Sequence, residues 1–92
     1  MDDNSTKDEY NDFLVELGVK IGDCRKNYGI TQEQLAEKIG MSASTIHKIE
    51  APGQIKAPSL HTLWRVGKAL DVNMSQLFDN SEYEKINDGE TN

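Results

Sequence analysis

Between Thr31 and Ala51 two short stretches of helical periodicity meet at a single glycine, and that corner limits the fold more than any other feature of the chain. The stretch from Gln32 to Ala51 reads QEQLAEKIGMSASTIHKIEA. Before the glycine, Leu35, Ala36 and Ile39 recur at three- and four-residue steps, as one face of a helix requires. After it, Ile46 and Ile49 do the same. Helices this short do not persist alone in water, so each must lean on the other and on further chain. Gly40 can take positive φ without a Cβ clash and so makes the corner. Ala36 is small enough to let two helices approach. Leu35, Ile39, Met41, Ile46 and Ile49 seal the angle from both sides.

The capping residues agree. Thr31 stands before the first stretch with Gln34 three residues on, the pattern of a capping box. Ser42 is placed to cap the second stretch, and Ala51-Pro52-Gly53 closes it. Upstream, Leu14, Leu17, Gly18, Ile21 and Cys24/Arg25 form an apolar stripe, which predicts a helix from about Asn11 to Asn27, ended by Gly29. Downstream, a loop holding Gln54, Lys56 and Pro58 leads to a helix from Ser59 to about Leu70. Its expected inward residues are Leu60, Leu63, Val66, Gly67 and Leu70. Asn73 and Gln76 then frame a last short helix with Leu77 and Phe78. Five short helices and weak strand signals predict an all-α fold.

Charge divides the chain of 92 residues into three parts. The formal net charge is −6, which by itself argues against nucleic acid. Residues 1–12 hold Asp2, Asp3, Asp8, Glu9 and Asp12 against Lys7, a net of −4. Residues 80–92 hold Glu82, Glu84, Asp88 and Glu90 against Lys85, a net of −3. The middle, residues 13–79, is left with eight basic and seven acidic groups, a net of +1. The expected organisation is an acidic disordered tail over 1–10, a folded domain over 11–79 and an acidic polar tail over 80–92. One cysteine, Cys24, excludes an intramolecular disulfide framework and fits a cytoplasmic setting. Neither a secretory leader nor a membrane-length apolar run is evident.

The corner resembles a helix-turn-helix, and the resemblance extends to the Cro/phage-repressor (XRE-like) family of bacterial DNA-binding domains. It covers roughly Leu17 to Phe78. The matching residues are Leu17-Gly18, Ile21 and Arg25, then Gly29-Ile30-Thr31-Gln32 and Leu35-Ala36-Glu37-Lys38-Ile39-Gly40. Ser44-Thr45-Ile46, Ile49-Glu50, Pro58-Ser59-Leu60, Thr62-Leu63, Ala69-Leu70 and Leu77-Phe78 complete the match. The resemblance implies a five-helix, lambda-repressor-like DNA-binding domain. Such a domain usually binds a roughly palindromic operator in double-stranded DNA as a homodimer, and usually represses. It also implies a bacterial or phage-encoded protein that is nucleoid-associated when bound. Regulation is expected from concentration, dimerisation or another protein, with no separate effector domain.

In such a motif the tip of the second helix enters the major groove and meets base edges. Here that places Ala43, Ser44, His47 and Lys48 at the bases. Ser42, Thr45 and the helix start are placed at phosphate oxygens. Gln32 and Lys56 match positions that grip the backbone, and Lys26 flanks the groove. Arg25 and Glu50 match an ion pair between the first and third helices, the alternative being two solvated charges. Ala43 departs from relatives that carry Gln or Arg, and its only base contact is a thymine methyl. Gly22 replaces an Arg found in many relatives. The segment from Glu50 to Pro58 is about two residues longer than usual.

Other functions have weaker support. Ser44 and His47 are neighbours on one helix, but no orienting acid or oxyanion donor accompanies them, so no catalytic residue is assigned. His47 and His61 lack a third ligand at useful spacing, so neither a metal nor a cofactor is expected. Trp64, Met74, Leu77 and Phe78 are candidates for a dimer interface on the last two helices. The competing reading is an antitoxin-like protein-interaction module, motivated by the acidic tails, in which DNA binding is secondary.

Overall fold

The computed structural model describes residues 3–51, 53 and 56–78, with side chains from residue 8. Five helices follow one another: α1 (Asp3–Tyr28), α2 (Gln32–Ile39), α3 (Ala43–Glu50), α4 (Leu60–Leu70) and α5 (Met74–Leu77). No strand occurs among the described residues. The corner of α2 and α3 rests on α1 and α4, and α5 closes one end against both.

Thr31, Ser42 and Asn73 cap the helices they were expected to cap, and Ser59, expected as the first residue of the fourth helix, is its N-cap instead. Thr31 Oγ1 accepts from the Gln34 amide at 3.0 Å, while the Thr31 amide donates to Gln34 Oε1 at 2.8 Å. Ser42 Oγ accepts from the Thr45 amide at 3.1 Å, and Ser59 Oγ from that of Thr62 at 3.0 Å. At α5 the Asn73 amide donates to Gln76 Oε1 at 2.8 Å. Each such cap satisfies an amide that the helix itself cannot and contributes about 1 kcal/mol. Gly40 sits at φ 72°, and the Met41 amide then turns back to the Ala36 carbonyl at 2.9 Å.

One cluster forms the core: Leu17, Ile21, Leu35, Ala36, Ile39, Ile46, Ile49, Leu63, Val66, Leu70 and Leu77 are all buried. Every helix contributes, and each large aliphatic side chain taken out of water is worth about 1.5–3 kcal/mol. Gly18 lets α1 lie directly on α3, since a Cβ there would overlap the Ile49 carbonyl oxygen. Arg65 links α4 to the corner by donating from Nη1 to the Ile39 carbonyl at 2.8 Å.

Three expectations need correction. First, α1 starts at Asp3, not near Asn11, so residues 3–10 continue the helix instead of forming a tail. The apolar stripe marks only the buried part of α1. Its earlier turns carry acidic residues, favoured near the positive end of a helix dipole. They also carry Tyr10, which stacks on Phe13 at 6.5 Å, and Phe13 stacks on Phe78 at 5.9 Å. Second, Leu60 is 71% exposed. It is the first residue of α4, and helical side chains lean toward the N-terminus, so it projects past the core. Third, Leu77 is 1% exposed and belongs to this chain's own core, which leaves it no surface for a partner. The expected tail over 80–92 lies outside the described residues, as do Pro52 and Gln54.

Candidate nucleic-acid interface

The second helix of the corner, α3, is gripped at its C-terminal end from two directions. From α1, Arg25 Nε donates to Glu50 Oε2 at 2.8 Å and Nη2 to Oε1 at 3.0 Å, with side chains only 10% and 8% exposed. From α2, Gln32 Nε2 donates to the same Oε1 at 2.9 Å. A further Arg25 donor, Nη1, reaches the Ile30 carbonyl at 2.8 Å, which ties down the turn between α1 and α2. The hydrogen bond to Glu50 pushes the Arg25 pKa up, against the opposing effect of burial. The guanidinium is therefore charged at every working pH. Sequence reading anticipated the ion pair but missed that Gln32 joins it.

Ile46 and Ile49 hold the inner face of α3 in the core. What remains outward is Ser44, His47 and Lys48, all exposed. Their spacing of three and four puts them on one face. Ser42 is exposed at the tip, its Oγ within 2.9 Å of Thr45 Oγ1. As at any helix start, the first amides, those of Ala43 and Ser44, have no carbonyl partner within the helix. They point a positive partial charge off the tip, the arrangement that accepts a phosphate oxygen.

The other expected contacts are placed less favourably. Ala43 is half-buried and packs against the core, so little of its methyl remains for a base. Thr45 is half-buried, and Gln32 has already committed one amide hydrogen to Glu50. Lys56 is exposed in the segment before α4. With Thr45, Met41, Pro58 and Thr62 it lines a depression of about 370 Å³ beside α3. Among the described residues no three His, Cys, Asp or Glu side chains converge as a metal site would need. No described helix is long and apolar enough to cross a membrane.

A helix-turn-helix family model matches residues 21–77, more than half of the chain. This protein belongs to the XRE-type helix-turn-helix family. Its relatives include the HTH-type transcriptional regulator SlrR of Bacillus subtilis, 41% identical over 68 residues. That match takes in 72% of this chain but only 44% of SlrR. An uncharacterized HTH-type transcriptional regulator of Archaeoglobus fulgidus is 34% identical over 62 residues, 67% of this chain and 86% of that protein. Among solved structures, the restriction-modification controller protein C.AhdI of Aeromonas hydrophila superposes with a TM-score of 0.65 at 28% identity. It covers 70% of this chain and 94% of its own. The family is one of DNA-binding transcriptional regulators, whose members are generally not enzymes, and this chain spans less than half the length of SlrR.

Proposed function

We propose that this chain is a sequence-specific regulator, most simply a repressor, that binds a roughly palindromic operator as a homodimer and has no catalytic activity. The observation that carries the reading is the exposure of Ser44, His47 and Lys48 on one face of a helix whose other face and far end are fixed. Lys48 can donate to guanine O6 and N7, and Ser44 to several base edges. Ser42, the two tip amides and Lys56 serve as backbone contacts that set the docking angle. Gln32 acts mainly on α3, through Glu50, and contacts phosphate with what remains of its side chain.

For the dimer face, Phe78 stacks on Phe13 and Phe13 on Tyr10, three exposed aromatic side chains in a row, while Met74 is half-buried against the core. A homodimer of this family meets its operator when its two recognition helices reach successive turns of the major groove, about 34 Å apart. Selection of bound DNA from a random pool tests the reading. Two inverted half-sites about one helical turn apart are the expected product. A pool that stays random at low and at high salt would favour the protein-interaction module instead.

A further inference from the structure

On the side of the corner formed by the end of α2 and the outer face of α4 lies a groove of about 560 Å³. Its walls include Lys38, Arg65 and Lys68, with Glu37 the one acid among the lining residues. Trp64 forms an apolar wall and is 52% exposed. Lys68 Nζ stands 5.7 Å from the Trp64 ring centre, and the His61 ring packs beside it at 6.1 Å. A large exposed indole among cations is unusual on a chain whose net charge is −6. It offers an acidic segment both ion pairs and an aromatic surface.

We propose that the acidic segment of this same chain, residues 79–92, docks in that groove. Charge complementarity is the first reason. The segment holds Asp79, Glu82, Glu84, Asp88 and Glu90 against Lys85, and it interleaves them with Tyr83 and Ile86. Its starting point is the second. The described chain ends at Phe78, just after α5, and α5 packs on the same α4 that carries Trp64, Arg65 and Lys68. Crossing a helix about 10 Å wide takes only three or four extended residues at roughly 3.3 Å each. The fourteen residues from 79 to 92 are therefore long enough to span the groove. The docked segment more than offsets the positive charge of the groove lining.

Trp64 is the only tryptophan of the chain, so its fluorescence reports on the groove alone. The test compares the full chain with a full-length variant carrying Glu82→Gln, Glu84→Gln, Asp88→Asn and Glu90→Gln, without DNA. In the parent chain Trp64 is expected to resist acrylamide quenching at low salt. It should become quenchable, with red-shifted emission, at about 1 M salt, where the Debye length is only ~3 Å. The variant is expected to show the high-salt behaviour at every salt concentration. Equal quenching of the two chains at low salt overturns the proposal. So does protection in the parent that disappears on hundred-fold dilution, because the occupant then comes from a second copy. Neither result bears on DNA binding by α3.

Discussion

Replacing Glu50 by alanine removes three hydrogen bonds at once and strands the Arg25 guanidinium beneath α3. The carboxylate accepts Arg25 Nε at 2.8 Å, Arg25 Nη2 at 3.0 Å and Gln32 Nε2 at 2.9 Å. With the two charged side chains about nine-tenths buried, water cannot replace the lost partner. Removing one member of such a pair costs about 3–5 kcal/mol, mostly the penalty of an uncompensated buried charge. At about 4–8 °C per kcal/mol for a domain of this size, the midpoint of thermal unfolding should fall by at least ~12 °C. Far-UV circular dichroism during heating and urea titration at pH 7 measure it. The double variant Arg25→Met, Glu50→Met should recover most of the loss, since the cost lies in the orphaned charge and not in the absence of the pair. A loss below about 1 kcal/mol in Glu50→Ala would mean that solvent reaches the guanidinium and the clamp is a surface contact. The effect should not vary with pH near neutrality. Arg25 is held above its already high ordinary pKa, so its share of stability is present below that value and fades only in strong alkali as pH passes the raised one.

Lys48→Ala and Ser44→Ala should each relax preference at particular base pairs by about 1–3 kcal/mol in competition gel shifts. A uniform weakening across all sequences would instead make them backbone contacts. Gly18→Ala should destabilise the fold by about 1–3 kcal/mol by overpacking, because its Cβ overlaps the Ile49 carbonyl oxygen; unchanged urea midpoints would show that α1 and α3 can separate freely. Burial pushes the Cys24 thiol pKa up, with Lys20 only partly opposing. Alkylation by iodoacetamide at pH 8 should accordingly be slower than for a free thiol and should accelerate only in more alkaline solution. Equal rates at pH 8 would refute the shift.

Much of this fold was legible because local chemistry and global packing agree. Thr31 with Gln34, Gly40, and Ser42 announce the corner, and the structure uses each as expected. The apolar stripes located the core, apart from Leu60, whose place at the first turn of α4 no periodicity reveals. Where α1 begins was illegible, since a helix lacking a buried face leaves no stripe to read. Contacts across the fold were hidden for another reason. That Arg65 reaches the Ile39 carbonyl, or that Gln32 reaches Glu50, depends on the angle between helices, which spacing along one chain does not encode. At the candidate interface, residue identity pointed to Ser44, His47 and Lys48. Only packing distinguished them from Ala43, which the same pattern placed beside them and the core partly claims.

If α3 reads bases as proposed, its eight residues carry a consequence for how the protein finds its target. An eight-residue helix is about 12 Å long, the height of three or four stacked base pairs. A word of four letters recurs by chance about once every 250 base pairs, so one molecule alone faces thousands of equivalent addresses in a genome. Picking out a single promoter therefore demands a longer text, supplied by a second reader, by the stiffness of the DNA between the words, or by both.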